Sequence, residues 1–221
     1  MSLQGISDAI FYIVLFNSIE FICFLPIVFI VYWLADKHLK WQNFLVVTAS
    51  YIFYGWWDIR FLSLIILTSS FCFVSGLLIE RAEGNRKKQK IINTINILLN
   101  IGILGTFKYF DFFSTNIETA LGFETDWITL DILLPVGISF YTLQALSYSI
   151  DVYQKKISAC HDPIAFFAFV SFFPQLVAGP IERATNLLPQ FYKRRTFDYS
   201  KAIDGCRQML WGFFKKMIIA D

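Results

Sequence analysis

The residues whose types and spacing could take part in chemistry form a polar stripe in an otherwise apolar segment, LPVGISFYTLQALSYSIDVY (Leu134–Tyr153). The stripe has spacings of 4, 3, 4 and 3 residues and consists of Gly137, Tyr141, Gln144, Tyr148 and Asp151. At 100° per residue these positions fall within about 80° of one another, which predicts one face of a helix that starts near Pro135. Such a face points toward protein or water and away from lipid. The spacing leaves two alternatives open: helix packing through interhelical hydrogen bonds, or the wall of a substrate cavity.

A second polar group follows in SFFPQLVAGPIER. This segment places one amide among three helix-breaking residues, in the order Pro174, Gln175, Gly179 and Pro180. A buried amide needs hydrogen-bond partners, so we expect Gln175 either to brace the broken backbone or to point into a cavity. Glu182 and Arg183 come next, and they form either a charged pair or a solvated loop end.

Signatures of acid–base, metal or phosphate chemistry are lacking in the sequence. There is no Gly-rich phosphate loop and no Ser–His–Asp order. The two histidines, His38 and His161, are far apart in predicted loops and do not indicate a metal site. The four cysteines have no Cys-x-x-Cys spacing, so we expect them to pack as small apolar residues. The sequence therefore predicts no bound metal and no bound cofactor.

Long apolar stretches must position these polar residues. The 221 residues are 56% hydrophobic and 16% charged, with a mean hydropathy of +0.55. This composition excludes a disordered tail, a collagen-like fibre and a disulfide scaffold. The net charge of +2 gives no field that would attract nucleic acid. Six stretches contain no Asp, Glu, Lys or Arg: Phe21–Ala35, Trp41–Trp57, Phe61–Ile79, Ile91–Phe107, Ile132–Ile150 and Pro163–Ile181.

Most of these stretches have the length of a membrane span. About 20 mostly apolar residues cross a bilayer, with a range of about 17–25, and only Phe21–Ala35 needs its flanks to reach that length. Six such helices in a soluble chain of this size would leave too little polar surface to cover them. The sequence therefore predicts an all-α polytopic membrane protein. A last segment, Ala202–Ala220, contains four charged residues, and we expect it to be partly interfacial.

Basic residues predict the orientation. They follow the first, third and fifth stretches, with the largest group in the Arg81–Lys90 loop, whereas the Asp111–Asp131 loop is acidic. Because basic loops stay in the cytoplasm, the N-terminus and the acidic loop are predicted outside. A sixth span would place the basic residues between Arg183 and Lys201 outside as well. We therefore expect Pro163–Ile181 to be a re-entrant segment on the cytoplasmic side, the alternative being a true span with a translocated basic loop.

Four segments in order resemble the membrane-bound O-acyltransferase superfamily (MBOAT), in its bacterial, alginate O-acetyltransferase-like branch, which has peptidoglycan- and cellulose-acetylating relatives. They are Leu15–Pro26, Ser50–Phe61, Leu134–Tyr153 and Phe169–Phe191, supported by FKYFDFF and GFFKKMIIAD. The resemblance implies an enzyme of the bacterial inner membrane, in contact with lipid. It would move an acetyl group from a cytoplasmic donor such as acetyl-CoA toward hydroxyls of an exported polysaccharide such as alginate. It also implies periplasmic or membrane acetyltransferase partner proteins.

The resemblance covers the N-terminal half of the family pattern, residues 14–221. Family members are roughly twice as long, and their catalytic histidine, a general base on the acceptor or carrier hydroxyl, is expected beyond the position of Asp221, in the second half. Neither His38 nor His161 matches it, so the resemblance implies no catalytic residue in this chain and no activity for residues 1–221 alone. Residues 1–13 look like an added N-terminal extension, with translation starting at Val14.

Two other functions remain open. A chain without the catalytic half could be a non-catalytic membrane scaffold or assembly subunit, or the product of a truncated gene. A transporter is a minor alternative, because transporters often have broken helices in both of two repeats, whereas this sequence has one such segment and no evident repeat. For the enzyme, the candidate cavity residues are the stripe together with Gln175, Gly179, Pro180 and Glu182.

Overall fold

A computed structural model of the protein describes residues 18–35, 38–56, 59–121, 137–176 and 179–220. Within these ranges the protein is helical and contains no strand, as the sequence predicted. The helices are α1 (Ile19–Leu34), α2 (Leu39–Gly55), α3 (Ile59–Arg81), α4 (Arg86–Leu121), α5 (Ile138–Tyr153), α6 (Pro163–Val170), α7 (Phe173–Leu176), α8 (Ala184–Leu187) and α9 (Tyr199–Phe214). A 3₁₀ turn, Leu188–Phe191, follows α8, and a π-helical turn, Lys215–Ala220, continues α9.

Some sequence predictions fall on residues that the structure does not describe. The predicted extension 1–13, the start at Val14 and the helix start at Pro135 lie outside the described residues. Asp221 also lies outside them. The expectation that a catalytic histidine follows Asp221 stays a prediction.

Side-chain caps explain where several helices begin. Ser18 accepts a hydrogen bond from the backbone N–H of Phe21 at the start of α1. Asp162 does the same for α6, accepting from the N–H groups of Ile164 and Ala165, and Pro163 occupies the first turn, where no N–H is needed. Asp198 caps α9 in the same way. These residues satisfy N–H groups that would otherwise have no partner.

Two helices have the length and composition of a membrane span. They are α3, with 23 residues, and the Arg86–Tyr109 part of α4, with 24. At 1.5 Å per residue each is about 35 Å long, enough for a hydrocarbon core of about 30 Å. The apolar helix α1 has 16 residues and is shorter than that thickness.

The apolar and polar residues are distributed as expected for a protein surrounded by lipid. Helices α3, α4 and α5 pack against one another around a core that contains Ile65, Cys72, Ile79, Tyr141, Tyr148 and Phe166. Between them lie fully buried polar side chains, among them Asn96, Asn100 and Ser149. Outward-facing positions hold large apolar side chains, such as Ile27 on α1 at 62% exposed and Leu98 on α4 at 65%.

The three basic connections meet at one end of the bundle. Arg86 donates to the backbone carbonyl of Tyr153 at 2.7 Å, and Lys155 pairs with Glu83 at 3.1 Å, which joins the connections after α3 and α5. Lys40, after α1, lines a cavity together with His161 from the connection after α5. This shared end agrees with the grouping of basic loops predicted from charge.

One sequence prediction needs correction, and one predicted segment is defined in more detail. The acidic loop predicted to follow Phe107 is helical through Leu121, because FKYFDFFSTNIETAL contains no Gly or Pro to end the helix. Residues 122–131 of that loop lie outside the described residues. The predicted re-entrant segment from Pro163 is interrupted at Ser171 and Phe172. The ring of Pro174 would clash with the carbonyl of Val170 in a continuous helix, so α6 ends there and Pro174 falls in the first turn of α7.

Candidate functional site

The polar stripe of α5 lies inside the protein. Tyr141, Gln144, Tyr148 and Asp151 are no more than 5% exposed. Gly137 precedes the first residue of the helix. The stripe therefore faces protein, and the partners of its polar atoms show what each residue does.

Gln144 satisfies the backbone at the point where the apolar segment breaks. Helix α6 ends at Val170, which leaves carbonyls of its last turn without helical partners. The side-chain amide of Gln144 donates to the carbonyl of Phe169 at 2.8 Å. On the other side of the break, the N–H of Phe173 donates to the hydroxyl oxygen of Ser50 on α2 at 3.1 Å. Side chains from two neighbouring helices thus compensate for the interruption of the helix.

Gly137 allows a close approach between the start of α5 and the end of α7. Its φ of 74° lies in the left-handed region, and a Cβ there would be 2.6 Å from the carbonyl oxygen of Leu176.

Gly179 also has a positive φ, 151°. The amide of Gln175 donates to the carbonyl of Pro180 at 2.6 Å, which corresponds to the bracing alternative for this residue.

Glu182 and Arg183 lie just before α8. Glu182 is half-buried, and Arg183 is exposed. No ion pair joins these two described side chains, so the solvated loop end is the better description.

Tyr148 connects α5 to the loop before α6. Its hydroxyl accepts a hydrogen bond from the backbone N–H of Cys160 at 2.8 Å. Gly76 of α3 makes room for the ring, because a Cβ at that position would be 2.4 Å from the Tyr148 hydroxyl oxygen. The ring also packs against Phe166, with centroids 4.7 Å apart. This tyrosine is held on three sides and anchors the loop.

Asp151 is a buried carboxylate near the basic end of the bundle. Its Oδ1 lies 3.8 Å from Nζ of Lys156, and its Oδ2 is buried without a hydrogen-bond partner among the described residues. Asp151 therefore has the capacity to accept a further hydrogen bond.

Glu80, at the end of α3, holds the loop between α5 and α6. One carboxylate oxygen is 2.8 Å from Nε2 of His161, and the other accepts the N–H of Ala159 at 3.0 Å. His161 lies in a loop, as predicted, and is exposed, but it also has a specific partner in Glu80. A glutamate that follows the apolar stretch Phe61–Ile79 gave no separate sequence signal.

A cavity of about 600 Å³ opens beside this loop. It is lined by residues that include Lys40, Ser158, Cys160, His161, Leu188 and Tyr192. Its volume is in the range of small-molecule sites. None of the sequence-predicted site residues from Gly137 to Glu182 lines it, and Tyr148 reaches it only through the backbone of Cys160.

The groups that line the cavity are suited to binding a ligand. Sγ of Cys160 and the Tyr192 hydroxyl are 2.7 Å apart. Burial raises the pKa of both the Cys160 thiol and the Tyr192 hydroxyl, so both groups are neutral at pH 7. Lys40 adds a positive charge to the lining. The described part of the chain holds no group of three His, Cys, Asp or Glu residues that could bind a metal ion.

A buried asparagine ladder on α4 was missed from the sequence. Nδ2 of Asn96 donates to the Ser149 hydroxyl oxygen at 2.9 Å and lies 3.6 Å from Sγ of Cys72. One turn further, Asn100 donates to Oδ1 of Asn96 at 3.0 Å. The available signal was the helical spacing of Asn93, Asn96 and Asn100 within an apolar stretch. The ladder joins α3, α4 and α5 through side chains.

Comparison with known proteins gives sequence relatives but no structural ones. A "Probable alginate O-acetylase AlgI" of Azotobacter vinelandii is 36% identical over 208 residues, which cover 93% of this chain and 41% of that protein. A protein of the same name from Pseudomonas aeruginosa is also 36% identical, over 39% of its length. A "Peptidoglycan O-acetyltransferase" of Helicobacter pylori is 32% identical over 95% of this chain and 45% of that protein. The chain thus spans about two fifths of the length of these relatives. No family model and no solved structure matches it.

Proposed function

Because this chain belongs to the membrane-bound O-acyltransferase family, together with the alginate and peptidoglycan O-acetylating relatives that it matches, we propose that it forms part of a polysaccharide O-acetyltransferase. The proposed reaction moves an acetyl group from a cytoplasmic donor, acetyl-CoA, toward hydroxyls of an exported polymer such as alginate. The observation that supports it most directly is the similarity across 93% of the chain to proteins with O-acetylase names.

The proposed location is a bacterial inner membrane, crossed several times, with the N-terminus outside. Two helices of spanning length, large apolar side chains on the outer surface and polar side chains in the interior support a lipid environment. The basic connections gathered at one end of the bundle would face the cytoplasm. In this arrangement Pro163–Ile181 enters and leaves on that side, as a re-entrant segment whose break at Ser171 and Phe173 is buried in protein.

The role that we assign to this chain is to build and support the site. Gln144, Ser50 and Gly137 hold the broken segment, and Tyr148 and Glu80 hold the loop beside the cavity. The cavity, with neutral Cys160 and Tyr192 and cationic Lys40, is proposed as a cytoplasmic binding surface. No residue of the chain is assigned the general base, because neither His38 nor His161 matches the position of the family's catalytic histidine.

The proposal is tested in an alginate-exporting bacterium that lacks its own O-acetylase. The complete reading frame that contains residues 1–221 is expressed, and ester-linked acetate on the exported polymer is measured by proton NMR. Parallel strains that export cellulose, or whose peptidoglycan is digested and analysed, identify the acceptor. The expressed protein is quantified in the membrane fraction, so that missing acetate is distinguished from a failure to insert. Normal membrane insertion without acetate on any of the three polymers would overturn the proposal.

A non-catalytic scaffold is the second candidate. One observation favours it: the described polar atoms of Gln144 and Tyr148 are engaged in structural hydrogen bonds and are not directed at the cavity. A scaffold would co-purify with a partner acetyltransferase, which would supply all the catalytic residues. Restoration of acetylation by residues 1–221 in a strain that retains every other acetylation protein would support this role.

A further inference from the structure

Helix α9 has two chemically distinct faces. Six apolar side chains fall within about 120° of one another on a helical projection: Ala202, Ile203, Cys206, Met209, Leu210 and Phe213. The other side carries Lys201, Asp204, Arg207, Gln208 and the ring of Trp211, and Lys215 continues it in the π-helical turn. This division is typical of a helix that lies at a boundary between an apolar and an aqueous phase.

The apolar face has no covering in the described part of the protein. No residue of α9 is buried, and Leu210 and Met209 are 69% and 46% exposed. Trp211, which lies on the polar side of the projection, stacks on Phe214 with centroids 5.3 Å apart, and both rings are exposed. A contiguous apolar surface of this kind is rarely left in water, so something must cover it.

The position of the helix indicates what covers it. Just before α9, the ring of Phe197 packs against Trp33 at 5.1 Å and Phe29 at 6.2 Å, near the end of the apolar helix α1. The guanidinium of Arg195 lies 5.7 Å from the ring of Tyr32. α9 therefore begins at the level where α1 ends, on the end of the bundle that carries the basic connections.

The charge of α9 matches an anionic surface. Lys201 and Arg207 on the helix and Lys215 in the turn after it outnumber two acidic residues, Asp204 on the helix and Asp198 at its N-cap, where Asp198 lies 3.6 Å from Lys201. Lys193 and Arg194 precede the helix. The Lys215 ammonium lies 5.2 Å from the ring of Trp211, an arrangement that keeps a cation beside an interfacial aromatic residue. Basic residues flanking an amphipathic helix bind anionic phospholipid headgroups.

We propose that α9 lies in the plane of the membrane, with its apolar face among the acyl chains and its basic residues against anionic phospholipid headgroups. The inference rests on the proposed membrane location but not on acetyl transfer. It gives the segment Ala202–Ala220 a specific lipid partner.

The test uses the full chain in vesicles and the natural thiol of Cys206, which is exposed on the apolar face. The chain is reconstituted into phosphatidylcholine vesicles with or without phosphatidylglycerol. Labelling by a membrane-impermeant maleimide is followed by mass spectrometry of the Cys206 peptide. The matched control is a Cys206→Ser, Gln208→Cys variant, whose thiol lies on the polar face of the same helix.

We expect labelling of Cys206 to be about tenfold slower than that of the control thiol in vesicles with phosphatidylglycerol, because only Cys206 enters the acyl region. Replacing Lys201, Arg207 and Lys215 together by glutamine should abolish the effect of phosphatidylglycerol. Equal labelling of both thiols would overturn the proposal. Protection of both thiols would overturn it too, because it would mean coverage by protein or a true span. Protection of Cys206 that does not depend on phosphatidylglycerol would overturn the anionic specificity.

Discussion

The amide of Gln144 donates to the carbonyl of Phe169 across 2.8 Å, one residue before the end of helix α6. An amide in the middle of an apolar helix thus provides the hydrogen bond that a broken backbone needs. The break and the residue that compensates for it lie 25 residues apart in the sequence.

Replacing Gln144 by leucine should destabilise the protein by about 1–3 kcal/mol, because the buried Phe169 carbonyl loses its donor. The measurement is the thermal midpoint in detergent. The matched control is Gln175→Leu, which removes a hydrogen bond to a carbonyl at an exposed site, where water can replace it. An equal decrease for both variants would contradict the bracing role of Gln144.

Gly137→Ala should be more harmful than an ordinary glycine substitution. A side chain at its φ of 74° costs about 1–2 kcal/mol, and the new Cβ would also be 2.6 Å from the carbonyl oxygen of Leu176. Gly84→Ala is the control, because Gly84 has a φ of 88° with no atom within 4 Å of the added Cβ. The difference between the two thermal midpoints isolates the clash. If the two variants melt together, α5 and α7 do not meet as described.

The helical class and the approximate helix positions could be predicted from the sequence because apolar runs are local. The spacing of the stripe likewise placed Tyr141, Gln144, Tyr148 and Asp151 on one protein-facing side. Partners could not be predicted, since Phe169, Cys160 and Gly76 are brought to the stripe only by packing. The end of α6 at Val170 is not marked by a breaker at that position, because the ring of Pro174 disturbs the carbonyl four residues before it.

The cavity was not predicted because its lining comes from separate parts of the chain. Lys40, Cys160, Leu188 and Tyr192 share no spacing or motif. The asparagine ladder was overlooked for a different reason. Its helical spacing is visible in the sequence, but asparagine carries no charge and therefore does not interrupt an uncharged apolar stretch.

The Asn96–Ser149 pair offers a direct measure of a buried polar contact between α4 and α5. A double-mutant cycle with Asn96→Ala and Ser149→Ala should give a coupling free energy of about 0.6 kcal/mol, as is usual for hydrogen bonds between membrane helices. Thermal or denaturant unfolding of the four proteins in detergent supplies the values. Asn96→Ala with Thr106→Ala is the control cycle, because Thr106 is exposed and bonds within its own helix. Additivity of the Asn96 and Ser149 effects would show that the 2.9 Å contact does not couple them.

Alkylation of Cys160 should require a higher pH than that of an ordinary thiol. Burial raises the pKa of this thiol, so at pH values near the usual pKa of about 8.5 it is mostly protonated and unreactive. The Tyr192 hydroxyl opposes that shift by hydrogen bonding, and Tyr192→Phe should therefore move the alkylation midpoint higher still. The folded state holds the Cys160 proton more tightly than the unfolded state does. The protonated thiol therefore stabilises the folded protein fully below the unfolded-state pKa, and this stabilisation is lost as the pH rises through the folded-state pKa. Cys160→Ser should remove this pH dependence of the free energy of unfolding. The measurement is the rate of N-ethylmaleimide labelling of the Cys160 peptide against pH, and the midpoint rather than the absolute rate is decisive, since Cys160 is only 2% exposed. A midpoint at or below that of a free thiol would contradict the assignment of a neutral thiol to the cavity wall.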